Sequence, residues 1–190
     1  SLIYTFIATG NQNQFFRVSD RAIVDIKMLE DIHADAEAQF NLTPSFSVLR
    51  EFHQLDLESK HLLRQISDKD KSLGLYLKNL NAKLDALARG VALNNHSIDE
   101  SQLYDISLSE GGVSVNIADV LPNDAFIAIQ LVLLPSFTNL VLKGQVINSI
   151  ENKENCTVHI KFCDLDSFNQ QLIARHIIRK QSRDRKVSEQ

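Results

Sequence analysis

Leucines at positions 73, 77, 80, 84 and 87, continued by Val91, follow one another at +4, +3, +4, +3 and +4. This is the a/d seam of a coiled coil, and a helix of that kind presents an apolar stripe that needs a facing helix. A second seam of the same spacing precedes it: Val48, Phe52, Leu55, Ser59, Leu62 and Ile66, with one polar defect at Ser59. Two heptad seams on neighbouring helices favour an intermolecular bundle over a hairpin that is satisfied within one chain. Leucine at both seam positions does not define the number of strands. Ser67-Asp68-Lys69-Asp70-Lys71 breaks or charges the joint between the two helices. Gly74 marks either a helix start or a close helix contact, Gly90 a fraying point, and Ser45 or Ser47 is the expected cap of the first helix.

The helical segment interrupts a β-type sequence. Val18 to Leu29 alternates in part and predicts a strand before it. Leu29, Ile32, Ala36 and Phe40 then follow helical spacing and predict a short helix that ends near Asn41 and Pro44. Beyond residue 102, strands are expected at Leu103–Leu108, Val113–Ile117, Ala125–Leu134, Leu140–Ile150 and Cys156–Phe162. Turn signals stand at Gly111-Gly112, at Leu121 to Asp124 and at residues 151–155, and Gly144 suggests a bulge or a close backbone approach. Short strands at this spacing predict a small antiparallel barrel. Asp164 or Asp166 caps a final helix from Phe168 to about Arg183, with Leu165, Phe168, Leu172 and Ile173 on one side.

The fold class is therefore α+β, a barrel with a long heptad insertion after its first strand and a C-terminal helix. At 190 residues the chain suits one such unit, residues 1–190, with 30–95 as the helical oligomerisation insertion. Composition bounds the function. A hydrophobic fraction of 44% and a charged fraction of 23% are ordinary for a soluble protein, and a net charge of −4 argues against a wholly basic nucleic-acid surface. Two cysteines, Cys156 and Cys163, are too few for a metal cluster and read as core residues or inert thiols. The six histidines lack metal-ligand spacing; His53 and His61 share a helix face at most, and His159 is expected on a solvent-facing strand position. No nucleophile or phosphate-loop motif is present, so catalysis, a cofactor and a metal are not expected. No run approaches the roughly 18 to 20 apolar residues of a membrane span, and a cytoplasmic location is the expectation. The basic C-terminal end, Arg175 to Lys186, either complements a helix dipole or offers a surface for phosphate, acidic protein or an anionic membrane, and the dipole account is preferred.

Several segments together resemble a known family. Phe15-Phe16-Arg17-Val18 leading into a strand is similar to the start of a PilZ domain, the bacterial cyclic di-GMP receptor barrel. Ile106-Ser107-Leu108-Ser109-Glu110-Gly111-Gly112-Val113 resembles that family's (Asp/Asn)-x-Ser-x-x-Gly signature. Val158 to Phe162, and Leu165 to Gln181, resemble its last strand and closing helix. Leu73 to Ala88 is similar to the helical insertion of the atypical, tetramer-forming branch, which also follows the first strand.

The resemblance implies a non-catalytic signalling or adaptor protein of the cyclic di-GMP system. It also implies a homo-oligomer, by preference a tetramer, held by Leu73, Leu77, Leu80, Leu84, Leu87 and Val91, together with an unidentified protein partner. Family receptors hold the nucleotide through Arg-x-x-x-Arg and the second signature, because guanidinium groups pair bidentately with phosphate or guanine. The implied site here is Arg17, Arg21, Asp105, Ser107, Ser109, Gly111 and Gly112. Two departures point to a degenerate site. The Phe-Phe-Arg-Val register aligns Arg17 with the second arginine and places Gln12 and Asn13 where the leading ones stand. Ser107 occupies the acidic position, with Asp105 two residues early. Loss of a charge-assisted contact costs about 1.5–3 kcal/mol, so the alternative, a working receptor, requires Arg17 and Arg21 to act in a shifted register.

Overall fold

A computed structural model describes residues 17–95 and 102–188. The segment with Gln12, Asn13, Phe15 and Phe16, and His96, lie outside the described residues. Six strands form a closed barrel: β1 (Val18–Met28), β2 (Leu103–Ser109), β3 (Gly112–Ile117), β4 (Phe126–Leu133), β5 (Thr138–Glu151) and β6 (Cys156–Cys163). Their order is β1-β2-β3-β6-β5-β4, every described pairing is antiparallel, and β1 closes the ring. β1 does so by dividing its length: residues 18–23 pair with β2 and residues 22–28 with β4.

Alternation builds the interior. Ile127, Ile129, Leu131 and Leu133 of β4 point inward with Leu140, Leu142 and Val146 of β5, Val158 and Ile160 of β6, and Val113 and Val115 of β3. Gly144 admits close packing, because a Cβ there would press on the Ile160 side chain; the register shift in β5 falls beyond it, between Val146 and Asn148. Helix α3 (Ser167–Ser188) packs Leu172, Ile173 and Ile177 into this same core. Asp166 caps it, accepting from the Asn169 amide at 2.7 Å. Asp20 shares the inward row of β1 with Val18 and Ala22, where a carboxylate would be costly. His176 of α3 meets it at 2.8 Å through Nε2, and the Arg21 amide also donates to it at 2.9 Å. Burial pushes the Asp20 carboxyl up, but the His176 and Arg21 hydrogen bonds and the His176 and Lys180 charges outweigh it, leaving it below its ordinary value.

The helix expected over residues 29–40 is replaced by turns and one short 3-10 turn at Glu37–Gln39. Asp31 accepts from the amides of His33 and Ala34, and Asp35 from those of Glu37 and Ala38. These local bonds compete with helical pairing. The apolar spacing still does its packing: Leu29, Ala36 and Phe40, with Phe46, cover Ala128 and Val141 on the outside of the barrel.

Helix α1 (Pro44–Lys69) starts with Pro44 at its first position and Thr43, rather than Ser45 or Ser47, at the N-cap. Asp70 ends α1 in an extended conformation and begins α2 (Lys71–Asn95), its carboxylate accepting from the Leu73 amide at 3.0 Å. A single residue thus turns the chain. The two helices form an antiparallel hairpin, with Ala88 of α2 packed against the small cluster of Leu49 and Phe137. Gly74 is required at its neck, where a Cβ would strike the Ser67 backbone. Gly90 is not an end; α2 continues through it to Asn95.

Candidate functional site

Two surfaces stand out on this scaffold, a polar row across the barrel and an apolar stripe along the hairpin. The row follows from register. Ser19 of β1 pairs with Ser107 of β2, Ser107 with Ser114 of β3, Ser114 with His159 of β6, and His159 with Asn148 of β5. All five side chains lie on the outer face, opposite the inward Ile106, Val113 and Val115. Arg17, just before β1, bends over this row. Its Nε donates to Ser107 Oγ at 3.1 Å, and one Nη2 donates to the Ser107 carbonyl at 2.9 Å and to Ser114 Oγ at 3.1 Å. Ser114 Oγ in turn lies 2.7 Å from His159 Nδ1. Burial, then the Arg17 charge, pushes the His159 imidazole below its ordinary value, so it is neutral at pH 7. Partial burial likewise lowers Arg17, which remains a cation.

The residues expected to form a nucleotide site divide into three groups. Arg17 and Ser107 are in contact. Arg21 and Asp105 face each other across β1 and β2 as an exposed pair at 3.8 Å, a weak interaction that leaves both in solvent. Ser109, Gly111 and Gly112 serve the β2–β3 turn. Ser109 is buried and donates to the Gly112 carbonyl at 3.2 Å, and the Gly111 carbonyl accepts from the Phe162 amide at 2.9 Å. A Cβ on Gly112 would meet the Ile160 carbonyl of β6, so this glycine answers a strand and not an open surface. Ser114 and His159 were missed as site residues in the sequence. Their only signal is that both occupy outward positions of alternating strands, which any surface residue shares. His159 takes the outward strand position expected of it and is half-buried there.

On the hairpin, both heptad seams leave most of their residues exposed. Val48, Phe52, Leu55 and Leu62 of α1 are exposed, and so are Leu73, Leu80, Leu84, Leu87 and Val91 of α2. Leu77 and Ile66 are half-buried. The hairpin and barrel contacts use other faces. Phe46 and Leu49 are buried against the barrel, Arg50 lies over the Phe168 ring at 4.9 Å, and Asp56 accepts from Arg175 of α3 at 3.5 Å. Leu87 keeps 67% of its surface accessible, which for a seam leucine means that no part of the described chain covers it. Among the described residues no cluster of three histidine, cysteine or acidic side chains could hold a metal. No described helix is long and apolar enough to cross a membrane.

The described residues thus form a closed six-stranded antiparallel barrel, sealed by a C-terminal helix and carrying an arginine over its outer face. Residues 90–179 match the PilZ domain family model. That match starts inside α2, because the insertion separates β1 from the other five strands. Among solved structures, the chain is similar to a tetrameric PilZ domain from Xanthomonas campestris, self-assembled through a helical bundle. The TM-score is 0.54 at 16% identity, over 89% of each chain, so the shared fold includes most of the insertion. Two further likenesses are partial. One is to YcgR of Escherichia coli in complex with c-di-GMP (TM-score 0.41, 16% identity, 46% of this chain and 38% of that one). The other is to the inhibitor of motility MotI/DgrA of Bacillus subtilis (TM-score 0.37, 19% identity, 40% of each). Both scores are too low to bear on the fold. No curated protein matches the chain.

Proposed function

We propose that this chain is a non-catalytic adaptor of the cyclic di-GMP system that self-assembles through its helical hairpin and keeps a reduced nucleotide site on its barrel. In this reading residues 1–190 are one PilZ-like unit, residues 30–95 are the oligomerisation insertion, and the setting is the cytoplasm. The observation that carries it is the double apolar stripe, in which nine seam residues of two helices are exposed together. An exposed stripe of this kind on a soluble protein marks an interaction surface, and heptad spacing fits it to further helices. The Xanthomonas campestris neighbour, tetrameric through a helical bundle, makes a tetramer the preferred assembly. Replacing Leu80 and Leu84 by Asp places two carboxylates in the stripe without touching the barrel. Sedimentation equilibrium should show an oligomer for the parent and a monomer for L80D/L84D; an unchanged mass would refute the interface.

The reduced site is supported by composition and geometry together. One arginine, Arg17, approaches the row, Arg21 is turned to Asp105, and Ser107 stands where the family signature has an acid. Replacement of one charge-assisted contact weakens binding by roughly tenfold to a hundredfold. Isothermal titration with cyclic di-GMP therefore should give a weak association that Arg17→Ala abolishes. The second reading, a receptor of ordinary affinity, is favoured by one feature, the three bonds that hold Arg17 in place before a ligand arrives. Micromolar binding lost in both Arg17→Ala and Arg21→Ala would establish that reading in place of the first.

A further inference from the structure

The row that Arg17 covers continues one strand beyond the expected site, and its chemistry there is protonic. Arg17 can only donate, so at Ser114 Oγ it occupies a lone pair. The Ser114 hydroxyl proton then has one described acceptor, His159 Nδ1 at 2.7 Å. If Nδ1 carried the ring proton instead, the hydroxyl proton would have no partner among the described residues. The satisfied arrangement is therefore Arg17 to Ser114 to His159 Nδ1, with the ring proton on Nε2. No described side chain or backbone group engages that Nε2, and the ring is partly exposed. Arg17 and His159 are thus two donors held by one serine, on adjoining strands of one face.

We infer that His159 is a binding residue of this face, taking up a proton as a phosphate group docks between it and Arg17. This rests on the reading of the outer face as an anion site. Protonated His159 would require Ser114 to accept from two cations at once, which disfavours that state in the free protein. The groups around the ring add no compensating charge: β3 presents Ser114 and Asn116, β5 presents Asn148, and β6 itself presents Thr157 and Lys161. Arg17 and Lys161 are the charged members, both positive, and no described carboxylate pairs with them. An incoming phosphate supplies the missing negative charge. It favours the imidazolium, which then donates from Nε2 to a phosphate oxygen while Nδ1–H turns to Ser114 Oγ. The proton comes from solvent, and no covalent bond changes. A histidine relayed to Arg17 would in this way replace the second arginine that the site lacks.

The test is the His159 ring titration, followed by NMR in the whole protein, free and with cyclic di-GMP or inorganic pyrophosphate. The expected result is an upward shift of the His159 midpoint by at least one unit with either probe, which makes binding about tenfold tighter below that range than above it. His159→Gln keeps a neutral donor, so its affinity should match the parent at pH 8 and fall about tenfold short of it at pH 5.5. Cyclic di-GMP that binds through Arg17 with an unshifted His159 midpoint overturns this inference and leaves the nucleotide site standing. A midpoint shifted by pyrophosphate but not by the dinucleotide overturns the nucleotide reading and keeps the anion site. No shift with either probe overturns the inference outright.

Discussion

The two glycines of the β2–β3 turn separate a structural reading of the family signature from a ligand-binding one. Gly112 pairs with Lys161 of β6, and a Cβ built on it would collide with the Ile160 carbonyl of the same strand. Both strands are central in a closed barrel and hydrogen-bonded on each side, so neither can swing outward to make room. Overpacking of this sort costs about 1–3 kcal/mol. Against it stands the smaller conformational freedom of alanine in the unfolded chain, worth about 0.4–1 kcal/mol. Gly112→Ala should therefore lose about 1–2 kcal/mol net. Gly111 is the internal control. Nothing lies within 4 Å of its Cβ position and its φ is not positive, so Gly111→Ala should be neutral or gain up to about 1 kcal/mol. For a chain of this length each kcal/mol moves the melting point by about 2–4 °C. The pair should melt about 2–12 °C apart, with Gly112→Ala the lower. Because assembly raises apparent stability, both are to be compared at one protein concentration, on the L80D/L84D background as well as alone. Coincident melting curves, or the greater loss at Gly111, would refute the close-approach argument.

Other outcomes follow from the same geometry. Asp20→Ala removes the partner of a buried His176 Nε2 and should destabilise the barrel by about 1–3 kcal/mol in urea unfolding. Because the folded Asp20 carboxyl titrates below its unfolded value, its contribution is fully present above the ordinary carboxylate range. It fades as pH falls through the depressed folded value. The acid limb of stability against pH should therefore be shallower in Asp20→Ala, and an unchanged limb would contradict the assignment. Arg17→Ala should leave the melting point within about 1 kcal/mol of the parent, since its partners Ser107 and Ser114 remain solvated. In the proposed reading its effect is on ligand binding, and a large loss of stability would make Arg17 a structural residue. Arg50→Ala, which loses contacts with Phe168 and Asn169, should raise amide exchange in the first turns of α1 while the barrel strands stay protected.

Local periodicity was enough for most of the architecture. Strand alternation located all five strands after residue 102 to within two or three residues, and the heptad spacing located both helices. A side-chain pattern of period 2 or 3.5 is a property of consecutive residues, and it survives whatever the chain later packs against. The same logic misled at residues 29–40. There the apolar spacing was helical and the residues are indeed buried, but Asp31 and Asp35 capture backbone amides that a helix would need. Legible apolar positions do not specify the backbone that carries them.

Direction and adjacency were decided only by the tertiary structure. The leucine seam announces an apolar stripe, yet whether it faces α1 or the outside depends on how Asp70 turns the hairpin and how Gly74 sets its closeness. Likewise Arg17, Ser107, Ser114 and His159 are spread over more than 140 positions of the sequence. They become one row because strand register, set by burial of the opposite face, places outward residues side by side across four strands. The sequence by itself determined a barrel, an inserted helical pair and an apolar stripe along each helix. The folded chain alone determined which arginine meets which serine, because that contact is created by pairing between strands and not by any spacing along one.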